Sequence, residues 1–208
     1  VNRPSGRKSR LLVLSGVVAV SVGVLGACSG STKTAGAESP SAAHTSTGAH
    51  ATESNPPGDI PDTIAYVDYK SADGAVQFVH PEGWSSTKLP NGVMFTDKLN
   101  SVSVSTTSGS APTVDSVKST VVPKLGTPSS NVKVNKVTAA TLPAGPAIKV
   151  LWQTDSAPDP VTGKVYRNDV VTYVVGAKGS VTRMDLSGPV GADNVDPYKK
   201  MSDSLKIK

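Results

Sequence analysis

Few residues in this sequence are of types that do covalent or acid–base chemistry. The 208-residue chain has one cysteine, Cys28, and three histidines, His44, His50 and His80. A hydroxyl or thiol nucleophile needs a neighbouring base to activate it. His80 is the only imidazole between Tyr66 and Tyr198, the stretch that holds every aromatic residue. It stands in Phe78-Val79-His80-Pro81-Glu82-Gly83-Trp84, where Pro81 and Gly83 predict a turn that packs Trp84 back onto a core. A single histidine without a second thiol excludes a His/Cys zinc site there. No Gly-x-Ser-x-Gly elbow, phosphate-binding P-loop or Gly-x-Gly-x-x-Gly fingerprint occurs. Ser85/Lys88 and Ser130/Lys133 have Ser-x-x-Lys spacing but lack the Ser-Asp-Asn and Lys-Thr-Gly companions of penicillin-binding enzymes.

Carboxylates are the remaining polar candidates. Asp155 and Asp159 flank one loop, and Asp193 and Asp196 precede the last amphipathic segment. Calcium requires roughly six to eight converging oxygens, and the spacing does not match an EF-hand loop. Aspartate also makes turns and helix caps by bonding to nearby backbone, and Asp196 before Pro197 fits an N-cap. No metal ligand or cofactor is therefore assigned. Asp155, Asp159, Asp193 and Asp196 are the positions where a calcium site or an unfamiliar hydrolytic carboxylate pair could be built. Trp84 and Trp152 could line a ligand groove, although Trp152 alternates with Ile148 and Val150 as a core residue does. Arg167 and Asp169, two residues apart in a β-rich run, share one face and mark a partner surface.

The elements that must position these residues are mostly strands. Ser101-Val102-Ser103-Val104-Ser105 alternates as a half-buried strand does. Val76 and Phe78 repeat the pattern, as do Ile148, Val150 and Trp152, with Lys149 and Gln153 on the opposite face, and Val132 and Val134 around Lys133. Residues 165–175 and 180–187 predict a hairpin joined near Gly176-Ala177-Lys178-Gly179, and Asn91-Gly92 predicts another. Thr113 caps an expected helix carrying Val114, Val117 and Val121, ended by Pro123. A second helix is expected from Asp196-Pro197, with Tyr198, Met201 and Leu205 as its apolar stripe and Lys199, Lys200, Asp203 and Lys206 facing water. Short turns and only two helices among these strands predict an α+β domain, an antiparallel sheet with helices packed on its faces.

Residues 29 to about 58 are Ser, Thr, Ala, Gly and Pro with almost no large aliphatic residue, which predicts a tether unable to offset its ordering entropy. His44 and His50 lie in it. Before it come Arg3, Arg7, Lys8 and Arg10, an uncharged run over residues 11–25, and Leu25-Gly26-Ala27-Cys28. A basic cluster, a short apolar run and small residues at a cleavage point make an export signal. The four residues ending at Cys28 resemble the lipobox of bacterial lipoproteins. The resemblance implies cleavage before Cys28 and a diacylglyceryl group on its sulfur. The expected organisation is a signal peptide over 1–27, a lipidated Cys28 and linker over 28–58, and one folded domain over 59–208. The chain has 21 Lys and Arg against 16 Asp and Glu; four of the basic residues lie in the signal, which leaves 17 against 16. A nearly neutral mature chain gives no reason to expect nucleic-acid binding.

Phe78-Val79-His80-Pro81-Glu82-Gly83-Trp84 resembles the aromatic, then Pro-x-Gly-Trp signature near the start of PsbP-like domains. Leu142-Pro143-Ala144-Gly145-Pro146-Ala147, Asp159-Pro160-Val161-Thr162-Gly163 and Leu186-Ser187-Gly188-Pro189, followed by residues 192–198, extend the resemblance over the folded region. With the lipobox, these resemble actinobacterial lipoproteins of the LpqN/LpqT type, with a PsbP/Mog-like domain. The resemblance implies a sheet sandwiched by helices and a binding or adaptor role rather than an enzyme. The expectation is an extracytoplasmic lipoprotein, held to the cell membrane through diacylglyceryl-Cys28, that binds an envelope protein or a small envelope ligand. An envelope hydrolase with an atypical carboxylate site, or a calcium- or manganese-responsive binding domain, is the alternative.

Overall fold

The computed structural model describes residues 57–208. Cys28, the expected signal over 1–27, most of the expected linker, His44 and His50 lie outside the described residues. The elements run β1 (Tyr66–Lys70), β2 (Val76–Pro81), β3 (Ser85–Leu89), β4 (Gly92–Asp97), β5 (Asn100–Ser108), α1 (Val114–Thr120), a 3-10 turn (Val122–Lys124), β6 (Lys133–Leu142), β7 (Gly145–Asp155), β8 (Arg167–Ala177), β9 (Ser180–Pro189), α2 (Val195–Asp203) and β10 (Lys206–Ile207). Seven strands form one sheet in the order β3-β4-β5-β9-β8-β7-β6, and β1-β2-β10 form a second. Every pairing is antiparallel. The domain is α+β, as the strand spacing predicts.

Alternation decides how each strand sits. In β5, Val102 and Val104 are buried while Ser101 and Ser103 are partly exposed. One register error would exchange these two sets between core and solvent. Lys178 and Gly179, at φ 50° and 78°, form the two-residue connection between β8 and β9. Positive φ at both positions matches the twist of a tight hairpin. The β3–β4 hairpin turns on Pro90 and Asn91, with Gly92 already in β4. A Cβ at Gly92 would come 1.9 Å from the Val104 carbonyl oxygen, so close strand approach, not the turn, requires this glycine.

The seven-stranded sheet is covered on both faces, but not by the same partners. Val117 of α1 and Leu125 cover Ile148, Val150, Trp152, Val170 and Val174 on one face. Phe78 of the small sheet, with Met201 and Leu205 from the C-terminal region, packs against Phe95, Val102, Met184 and Leu186 on the other. Thr113 caps α1 with a reciprocal pair of bonds to Ser116, and Pro123 falls in the 3-10 turn that follows.

The C-terminal region departs from the sequence reading in three ways. Asn194, not Asp196, occupies the cap position of α2. Asp196 lies in the first turn, where a carboxylate favours the positive end of the helix. Leu205 is buried beyond the helix end, and Lys206 enters β10 rather than a last helical turn. Val132 precedes β6 and is 36% exposed rather than part of the strand face. Among the described residues no helix is long and apolar enough to cross a membrane.

Candidate functional site

A cleft of about 570 Å³ opens between α2 and the sheet face formed by β6, β7, β8 and β9. Alternation places its floor. Ala140 and Leu142 of β6, Lys149 of β7, and Asp169, Val171 and Tyr173 of β8 line it. Lys149 and Tyr173 are directly paired across strands. The residues between these point to the α1 side and fill the second core, which is why the same strands are apolar on both faces. α2 forms the facing wall with Tyr198, Lys199 and Ser202. Pro197 stands at the third helical position, where its missing N–H would have no intrahelical partner.

The cleft combines an apolar floor with fixed charges. Lys199 and Asp203 pair one helical turn apart, and this contact raises the Lys199 pKa. Asp169 accepts a hydrogen bond from Gln153 Nε2 at 2.9 Å. The Lys149 ammonium lies 5.5 Å from the Tyr173 ring centroid, within cation–π range. Burial pushes the Tyr198 phenol well above its ordinary range. The Tyr198 hydroxyl therefore stays neutral and can donate or accept a hydrogen bond.

The wall near the mouth is held by a buried amide cluster. Asn194 Oδ1 accepts from the Ile60 N–H at 2.8 Å, and its Nδ2 donates to the Gly58 carbonyl at 3.0 Å and to Asn100 Oδ1 at 3.1 Å. Asn100 Nδ2 donates to the same Gly58 carbonyl at 2.8 Å. These bonds explain why Asn194 has no side-chain bond to cap α2: its amide is used in joining the N-terminal end of the domain to the helix. Gly188 is required beside them, since a Cβ there would meet Asn100 Oδ1 at 2.5 Å and the Tyr198 hydroxyl at 2.8 Å.

The residues singled out in the sequence are mostly dispersed. Asp155 accepts from Asn131 and from Arg167 Nη1 at 2.9 Å, and these contacts, Asn131 first, lower its pKa. Asp159 accepts from the Thr162 and Val161 N–H groups and the Thr162 hydroxyl, a turn whose bonds lower its pKa. Asp193 and Asp196 are exposed at the start of α2. None of these four lines the cleft. No group of three or more His, Cys, Asp or Glu gathers in one place among the described residues. Arg167 is taken up by Asp155, whereas Asp169 borders the cleft. Trp84 and Trp152 are 7% and 6% exposed, and Trp152 Nε1 donates to Thr172 Oγ1 at 2.9 Å. Sequence alternation places Lys149 and Gln153 on one face. Nothing in it identified Tyr173 or Ser202, because the cleft needs the packing of α2, which no local pattern encodes.

His80 lies in β2 and is 8% exposed. Its ring stacks on Phe95, with centroids 3.6 Å apart and planes at 14°. Nδ1 lies 2.9 Å from the Pro81 carbonyl, which can only accept, so Nδ1 carries the proton. Burial lowers the His80 pKa from 6.5, and the Pro81 bond partly opposes the shift. The unfolded chain therefore takes up this proton at higher pH than the folded one. Stability is fully present above pH 6.5 and is lost as pH falls from there through the folded pKa. Urea midpoints should fall between pH 7 and pH 5, and His80→Gln should flatten that fall. An equally steep profile in the variant would assign the dependence elsewhere.

No protein-family model matches the chain, and no curated protein matches it. Among solved structures it is similar to the solution structure of cyanobacterial PsbP (CyanoP) from Synechocystis, with TM-score 0.51 and 15% identity over 73% of this chain and 98% of that one. It is also similar to the Saccharomyces cerevisiae Ran-binding protein Mog1p, with TM-score 0.47 and 10% identity over 70% and 96% of the two chains. A protein from Bacteroides thetaiotaomicron matches at TM-score 0.44 and 10% identity over 68% of this chain; the match spans 48%, about half, of that longer chain. The likeness to CyanoP identifies the fold as PsbP-like.

Proposed function

We propose that the folded domain is a non-enzymatic binding or adaptor module and that the α2 cleft is where it engages its partner. The observation that carries this reading is the cleft itself. It has an apolar floor of Leu142, Val171 and Tyr173, opposed charges at its borders, and a volume in the range of ligand sites. Its acidic groups are held by Gln153 and Lys199. The one described histidine is stacked in the core rather than placed in the cleft. The four aspartates that a hydrolase or calcium site would use are engaged or exposed outside it. CyanoP supports a PsbP-like scaffold.

The same proposal places the domain outside the cytoplasmic membrane. The signal over 1–27 is removed, Cys28 carries the diacylglyceryl anchor, residues 28–58 form the tether, and residues 59–208 fold. The partner is an envelope protein or a small envelope ligand. A photo-crosslinking residue in place of Lys199, which lines the cleft from α2, tests this in intact cells against the same residue at Val161, 91% exposed in a distant loop. The expected result is a specific adduct from position 199 only, lost in a Cys28→Ala background. Equal adducts at both positions, or a turnover activity abolished by Asp169→Asn, would overturn the reading.

A further inference from the structure

We infer that the open edge of β6 is a strand-addition site, where an extended segment of a partner protein pairs antiparallel with residues 137–142 and sends alternate side chains into the α2 cleft. This deepens, and rests on, the reading of the cleft as a binding site. β6 ends the seven-stranded sheet, so among the described residues one row of its backbone N–H and C=O groups has no strand partner. Sheets blunt such edges with charge, proline, bulges or brevity. The other edges among the described strands are blunted in these ways. β3 is five residues long and carries Lys88, β1 is five residues long with Asp68 and Lys70, and β10 has two residues, one of them Lys206. The first part of β6 is blunted too, by Lys133, Lys136 and a register break between Val134 and Lys136. The second part, Val137-Thr138-Ala139-Ala140-Thr141-Leu142, has no charge, proline or bulge. It pairs regularly with β7 from Val137–Val150 to Leu142–Gly145, and no described strand pairs with its outer side.

Charge identifies the segment that fits there. The ion pairs among the described residues are Arg167–Asp155, Arg183–Asp185 and Lys199–Asp203. Lys136 and Lys149 belong to none of them. Lys149 is half-buried and lies opposite Thr138 on the cleft face. A side chain on the added strand opposite Thr138 would stand beside Lys136 and, across the short threonine, about 10 Å of strand spacing from Lys149. A glutamate and a lysine span that gap between them. Side chains opposite Ala140 and Leu142 would extend over the apolar floor, where the small Ala140 leaves room. In the N-to-C direction the fitting segment reads apolar-x-apolar-x-acidic. The backbone bonds supply affinity and the alternate side chains supply selection, as in other strand additions. A second copy of this chain is a poorer occupant, since its own β6 presents lysines and no carboxylate.

The probes are two synthetic peptides, Ser-Val-Thr-Leu-Thr-Glu-Ser and the same sequence with lysine in place of glutamate, titrated into the full chain. The glutamate peptide should bind at least tenfold more tightly and shift the amide resonances of residues 137–142. The double variant Lys136→Glu, Lys149→Glu should invert the preference; both side chains lie on the surface or cleft border, so the fold is kept. N-methylation of alternate peptide amides should abolish binding on one edge of the peptide and spare it on the other. Equal affinities, a preference unmoved by charge reversal, or indifference to which edge is methylated would each overturn the proposal. So would a β6-paired dimer that the peptide does not dissociate. A retained adduct at position 199 in cells without these signatures would remove strand addition and leave the adaptor reading standing.

Discussion

Replacing Phe78 with alanine should lower unfolding stability by about 3–5 kcal/mol, the range for a fully buried aromatic side chain lost from a core. Phe78 is 1% exposed and joins the small sheet to the large one. Its ring is 5.2 Å from Tyr69 and 6.0 Å, edge-on at 72°, from Phe95. Phe95 in turn supports His80. The substitution removes burial and leaves a cavity between two sheets, which cannot close over it without shifting their strands. A domain of this size has about 5–15 kcal/mol to lose, so the variant approaches the limit of folding. Urea denaturation gives the measurement, with exposed Val67→Ala as the comparison. A loss below about 1 kcal/mol would mean that the site collapses freely and that Phe78 does not join the sheets.

Asn194→Ala should cost about 3 kcal/mol by a different route. The side chain is 4% exposed, and its removal leaves the Ile60 N–H and Asn100 Oδ1 buried without their partners. Each orphaned group costs about 1–3 kcal/mol. Asn194→Asp should fare no better. It keeps an acceptor for Ile60, loses both donated bonds, and introduces a charge into a buried cluster. The loss should be uneven: hydrogen exchange at the Ile60 amide should accelerate far more than exchange in β8, whose ladder is untouched. Uniform acceleration would show that the cluster supports the whole fold rather than the junction of the N-terminal end with α2.

The two routes show where local sequence carries structural information and where it does not. Val102 and Val104 between serines, Thr113 followed by Val117, and Lys178-Gly179 between β-rich runs each specify an element through neighbours within a few residues. Alternation also placed Lys149 away from Ile148 and Val150. Asn194 could not be read this way, because its partners lie 94 and 134 residues away. Asp196 beside Pro197 carried the stronger local cap signal, and tertiary hydrogen bonding to residues 58–60 overrode it. The two-residue β10 is too short for any periodicity and exists because β2 offers it Val76 and Gln77 as partners. The small sheet was illegible for the same reason, although one of its strands was recognised. Pro81 and Gly83 predict a turn beside His80, whereas its stacking on Phe95 depends on a hairpin the local motif does not include. The cleft arises only when α2 settles against β6–β9.

The pairing of β10 with β2 also sets the order in which the molecule can form. Val76 waits for Ile207, and the core around Phe78 stays open until Met201 and Leu205 arrive. β5 likewise lacks one neighbour until β9, about eighty residues later, has been made. Contacts this distant in sequence make closure slow, since a long loop must be ordered before they form. A chain emerging N-terminus first therefore cannot lock its core while its last dozen residues are still being delivered. Under the export proposed above, that delay would keep the polypeptide threadable until its C-terminus had crossed.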